Sequence, residues 1–152
     1  MKRNYILILL FMLCSVFAQA QHSYFDKYAE QEGVTSVYIS KAMLSMFPNM
    51  QTDDLNIGQL ASKLESVQIL SCEKPEIIEQ LKKETDFIST KNGYEELMRI
   101  NDEGDKTTIY MKQKKDELKE FVLLNRSKDE FTLILIVGNL TLQEIQQIVN
   151  KG

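Results

Sequence analysis

From Tyr94 onward the hydrophobic pattern changes period, and that change limits the folds open to this chain. Residues 94–100 (YEELMRI), 106–112 (KTTIYMK), 117–125 (ELKEFVLLN) and 130–138 (EFTLILIVG) all alternate with a period near two, as strands do. Short polar breaks separate them. NDEGD, with Gly104 inside it, lies in the first pair, and RSKD lies in the second. Runs joined this closely pair as antiparallel hairpins, because a parallel partner needs a long crossover. The expectation is a four-strand C-terminal meander. Within 130–138, Phe131, Leu133, Leu135 and Val137 share one face, and Thr132, Ile134 and Ile136 share the other. Both faces are largely apolar, so this strand belongs inside a sheet with both sides at least partly covered.

The half before Tyr94 mixes periods. Ser23 and Asp26 resemble a capping box opening a helix with Phe25, Tyr28 and Ala29 on one face, closed near Gly33. VTSVYIS (34–40) and SVQILS (66–71) read as strands. KAMLSMF (41–47) spaces Met43, Met46 and Met50 as a helical core stripe, ended by Pro48. A second short helix is expected after Asn56, with Ile57, Leu60, Ala61 and Leu64 on one side. Pro75 suits the first turn of a longer helix carrying Ile77, Ile78, Leu81 and Ile88, stopped at Asn92-Gly93. At the C-terminus Thr141 and Glu144 form a T-x-x-E box, and Leu140 with Ile145 a hydrophobic staple. Leu142, Ile145, Ile148 and Val149 would then face the sheet. Strands and helices do not alternate strictly, which argues against a doubly wound fold. The fold class expected is α+β: a mixed or mainly antiparallel sheet, helices packed mainly on one face, and a capped C-terminal helix.

The N-terminus carries an address. Lys2-Arg3, an apolar run from Tyr5 to Phe17 and Ala18-Gln19-Ala20-Gln21 have the order of a secretory signal peptide with an A-x-A site. The run is too short to span a bilayer, which takes about 20 residues. Cleavage after Ala20 would divide the chain into a leader, 1–20, and one domain, 21–152, starting at Gln21. Cys14 is not read as an acylation site, because bulky Phe11-Met12-Leu13 precede it. Without the leader, 132 residues remain, with 16 basic against 22 acidic side chains, a net charge of −6. That length suits one domain with a real core. An acidic exported domain offers no electrostatic footprint for nucleic acid, and no transmembrane segment remains after cleavage.

Little in the chain points to catalysis. His22, the single histidine, would sit two residues into the processed chain. Cys72 would be the one remaining cysteine, which rules out an internal disulfide; as a nucleophile it would need a base or cation beside it, with Lys74 near but Glu73 opposing, and an interchain thiol is its other covalent option. It reads first as a small apolar residue at a strand end. Asn101, Glu103 and Asp105 alternate as calcium ligands do, but Lys106 stands where an EF-type loop requires glycine, and a hairpin turn explains the same residues. Asp53-Asp54 suit a helix N-terminus, and KQKKDELKE (112–120) reads as a solvated face. Gly138-Asn139 lacks the further glycines and lysine of a phosphate loop. No G-x-S-x-G, P-loop, G-x-G-x-x-G or H-E-x-x-H occurs. No catalytic, metal-binding or cofactor-binding residue is assigned, and no cofactor is expected.

FDKYAEQEGVTSVYISKAM (25–43), YEELMRI (94–100), KEFVLLN (119–125) and DEFTLILIVGNLTLQEI (129–145), in this order, resemble the exported bacterial family catalogued as domain of unknown function 4252. The resemblance implies a small exported protein of Gram-negative bacteria without an established activity, and no site residues come with it. The function expected is a periplasmic or envelope module, not an enzyme, that binds another protein or a small ligand; strand addition at a sheet edge is one mode. The alternative is an enzyme or ligand carrier with a cleft of carboxylates, Tyr and Arg99. A weaker one is an accessory protein of envelope stress or regulation.

Overall fold

The computed structural model describes residues 26–28, 30–46, 51–52, 55–56, 61–114, 117, 119–141 and 143–144. Residues 1–20, expected to be a leader, the expected cleavage positions Ala18, Ala20 and Gln21, Cys14 and His22 lie outside the described residues. So do Met50, Asp53-Asp54, Ile57, Leu60, Leu142, Ile145, Ile148 and Val149.

The strands form where β-branched and alternating residues predict them. β1 spans Val34–Ser40, β4 Leu64–Cys72, β5 Glu95–Asp102, β6 Asp105–Gln113, β7 Lys119–Arg126 and β8 Phe131–Gly138. They make one sheet in the order β1-β4-β8-β7-β6-β5, with every neighbouring pair antiparallel. A short hairpin, β2 (Gln51–Thr52) with β3 (Leu55–Asn56), stands apart from it. Helices α1 (Lys41–Leu44) and α2 (Pro75–Glu84) and a 3₁₀ turn at Thr90–Asn92 complete the named elements. The fold is α+β.

The register sorts the side chains into rows that cross the whole sheet, because directly opposed residues of antiparallel strands share a face. On the first face run Ser36–Leu70–Leu133–Leu124–Thr108–Arg99 and Tyr38–Gln68–Leu135–Val122–Tyr110–Glu96. Helix α2 lies here. Its Ile77, Ile78 and Leu81 join Leu70, Cys72, Val122, Leu124, Phe131 and Leu133 in the main core, with Tyr28, Ile88, Tyr94 and Tyr110 around them. On the second face run Val37–Ile69–Ile134–Leu123–Ile109–Met98 and Thr35–Ser71–Thr132–Asn125–Thr107–Ile100. A smaller cluster closes one end of that face, where Leu140 packs with Phe121, Leu64, Leu97, Met111 and Ile136.

Two glycines explain turns that pattern alone leaves open. Glu103 and Gly104 both have positive φ, 45° and 100°, and link Asp102 to Asp105 directly. That is the primed two-residue turn that matches strand twist, so NDEGD does the work of a hairpin. Gly138 ends β8 where a Cβ would lie 2.6 Å from the Lys63 carbonyl oxygen. The backbone of Lys63 crosses so closely that it accepts a hydrogen bond from Asn139 N–H at 2.9 Å.

Three expectations change. The methionine stripe is not core: α1 is four residues long, and Met43 and Met46 are 47% and 72% exposed. Helical spacing signals burial only when the helix is long enough to hold a face against something. Helix α2 stops at Glu84, not at Asn92, although Ile88 is buried as its spacing suggests. Thr85 is its C-cap, leaving the helical conformation at φ −94° and ψ 3°, and its hydroxyl also donates to the Leu81 carbonyl at 2.7 Å. Residues 55–56 are strand and Leu64 opens β4, so the helix expected after Asn56 is helical among the described residues only at 61–63.

Candidate functional site

Three places could carry function: a cleft at one sheet corner, a buried polar cluster at another, and the sheet edges. The cleft, about 410 Å³, is lined by Gly33, Val34, Thr35, Ser71, Cys72, Glu73 and Lys74. It opens where β1 starts and β4 ends, beside the N-terminus of α2. Its ionisable groups do not converge. Glu73 is exposed, and Lys74 Nζ lies 3.5 Å from Glu32 at the surface. The Cys72 thiol is 2% exposed and sits in a local loop, with Lys74 N–H directed at Sγ at 3.4 Å. A bond from this sulfur to another molecule would require the end of β4 to open.

The polar cluster joins residues far apart in sequence. Glu120 on β7 is 5% exposed. One of its oxygens accepts from the Tyr94 hydroxyl at 2.6 Å, and the other meets Lys114 Nζ at 2.8 Å. Lys112 Nζ lies 4.8 Å from the Tyr94 ring centroid and donates to the Asn92 carbonyl at 3.0 Å. Tyr110 packs edge-on against Tyr94, with centroids 6.3 Å apart. Burial pushes the Tyr94 hydroxyl well above the usual tyrosine range, and the hydrogen bond and charge of Glu120 push it further. Tyr94 therefore stays protonated as a donor. The cluster satisfies itself, with both carboxylate oxygens engaged. The lysine-rich run read as a solvated face is thus partly turned inward, since Lys112 and Lys114 are half-buried. Arg99 is held by Glu96 on β5, which stands directly opposite Tyr110, so it borders the cluster. Tyrosine and carboxylate come together, and Arg99 stands beside them, bonded to Glu96 rather than to Tyr94 or Glu120.

The two sheet edges differ most. β5, glutamate-rich, carries Glu95, Glu96, Arg99 and Asp102, and its register shifts between Glu96 and Met98. Charges and a bulge are what keep an edge strand from pairing with another chain. β1 has neither. Its seven residues, Val-Thr-Ser-Val-Tyr-Ile-Ser, include no charge, proline or glycine. Its pairing with β4 is regular from Val34 to Ser40. No described strand pairs its outer side. Val37 is 39% and Tyr38 57% exposed, one on each face. A long, uncharged, regular edge presents backbone donors and acceptors as a template for a further strand. The residues of β1 are legible in the sequence, but its place at the edge is not, because strand order is set by tertiary pairing.

Among the described residues no group of three or more His, Cys, Asp or Glu side chains could hold a metal ion, and no helix is long and apolar enough to cross a membrane. No curated protein and no solved structure matches the chain. A family described as "Domain of unknown function (DUF4252)" matches residues 28–148, from the buried Tyr28 through the whole sheet and past the Thr141 cap. This chain belongs to the DUF4252 family.

Proposed function

We propose that this protein is an exported, non-enzymatic binding module of a bacterial envelope, and that it takes a strand from another polypeptide along β1. The observation that carries the reading is the seven-residue uncharged edge, set against a guarded edge across the same sheet. Export is supported by the leader-like residues 1–20, and cleavage after Ala20 would start the working chain at Gln21. The main-chain ladder would supply affinity. Val37 and Ile39 on one face, and Tyr38 on the other, would supply selectivity.

The test uses the chain from Gln21 and its Val37→Lys variant, immobilised side by side and exposed to envelope extract. A lysine in mid-edge disfavours pairing while leaving the α2-covered core untouched. The expected result is a protein held by the first and lost from the second at equal melting temperature. Equal capture by both would contradict strand addition.

A further inference from the structure

We propose that the strand received by β1 is the β1 of a second copy, paired antiparallel about a two-fold axis at Val37. This rests on the strand-addition reading and names its partner. Centring on Val37 uses all seven residues. It sets Val37 against Val37, Ser36 against Tyr38, Thr35 against Ile39 and Val34 against Ser40. Every position thus faces one from its own side of the sheet, and no charge meets a like charge. The second-face row that ends at exposed Val37 would run on into its own image, covering the residue that the lone sheet leaves open.

The ends of the strand agree. In this register Gly33 of one copy lies opposite Lys41 of the other, so Lys41 arrives one position from Glu32. Lys41 is an exposed cation already shared with Glu65 at 2.5 Å, and Glu32 is an almost fully exposed anion. The contact occurs twice, once at each end. Symmetry supplies the remaining argument. Pairing β1 with β5 would be head-to-tail and would grow without closing, but the charges and bulge of β5 oppose it. One open edge and one guarded edge allow a single closed product, a dimer with a twelve-strand sheet.

Sedimentation equilibrium on the chain from Gln21, over micromolar to submillimolar concentrations, tests this. The wild type should approach the mass of two chains. Val37→Lys, which opposes two cations on the axis, should give the mass of one while still melting cooperatively. Met98→Lys on β5 should still dimerise. Val37→Cys should oxidise to a covalent dimer, whereas wild type, with Cys72 buried, should not. A wild type that stays at one chain throughout, or a Val37→Lys variant that still dimerises, overturns the proposal. A one-chain wild type that nevertheless captures an envelope protein through β1 rejects the second copy and keeps strand addition. A Val37→Lys variant that alters neither mass nor capture rejects both.

Discussion

The two faces of β8 hold side chains of similar size in different surroundings. Leu133 is buried beneath α2 in the main core, while its neighbour Ile134 points to the second face and is only half-buried. Alternation in the sequence makes the two sides look equivalent. What separates them is the helix, which can occupy one side only. Hydrophobicity along a strand therefore reports how central the strand is, not which side carries the stability.

Mutations of β8 should expose that asymmetry, and the largest effect belongs to the α2 side. Leu133→Asp puts a carboxylate between Leu70 and Leu124 beneath α2 and should abolish cooperative melting, because an unpaired charge at so buried a site costs several kcal/mol. A variant that melts like wild type would contradict the assignment of faces. Leu133→Ala should cost about 3 kcal/mol in urea denaturation, and Ile134→Ala about 1 kcal/mol, since a half-exposed site leaves less cavity. Equal costs would show that the second face is as well packed as the first. Tyr94→Phe, also on the α2 side, should cost about 2 kcal/mol by leaving one oxygen of buried Glu120 without its donor. A neutral result would mean that water takes the place of the hydroxyl.

The smallest effect is one of pH. Partial burial of Glu84 opposes its ionisation, but hydrogen bonds from Lys27, Tyr28 and Gln80 outweigh this and hold its carboxyl down at about 2, against an ordinary 4.5. A depressed carboxylate contributes stability that is fully present above the unfolded value and lost as pH falls through the folded one. Urea midpoints should therefore fall between about pH 4.5 and 2. Glu84→Gln should flatten part of that slope. A slope identical to wild type would mean that the contacts of Glu84 add nothing to the anchoring of α2.

Much of the fold was legible because its signals are local. VTSVYIS is β1 from end to end, and the Thr141–Glu144 box closes as its residues suggest, with Thr141 N–H donating to Glu144 at 2.9 Å. Glu144 is further stabilised as an anion by Lys63 and then by that backbone donor, which place its pKa below the usual range. What the sequence could not show depends on distance along the chain or on competition between short signals. Tyr94 and Glu120 meet across 26 positions, and no spacing rule links them. Met43 and Met46 obey a helical period that a four-residue helix cannot use. Ile88 continues the apolar stripe of α2, but the backbone leaves the helical conformation at its C-cap, Thr85, first. The candidate site was the least legible part. The residues of β1 announce a strand, and only the strand order makes that strand an edge.

That order has a consequence for how the sheet is completed. β8 is the last of the described strands in the chain, yet it sits between β4 and β7 and joins β1 and β4 to the three strands β5, β6 and β7. Without β8, no described strand pairing would link β1 and β4 to β5, β6 and β7. The pairing of β4 with β8 spans about half the chain, and contacts of such sequence separation form slowly. Completion of the sheet therefore waits on the pairing that β8 makes on both of its sides, whichever half folds first.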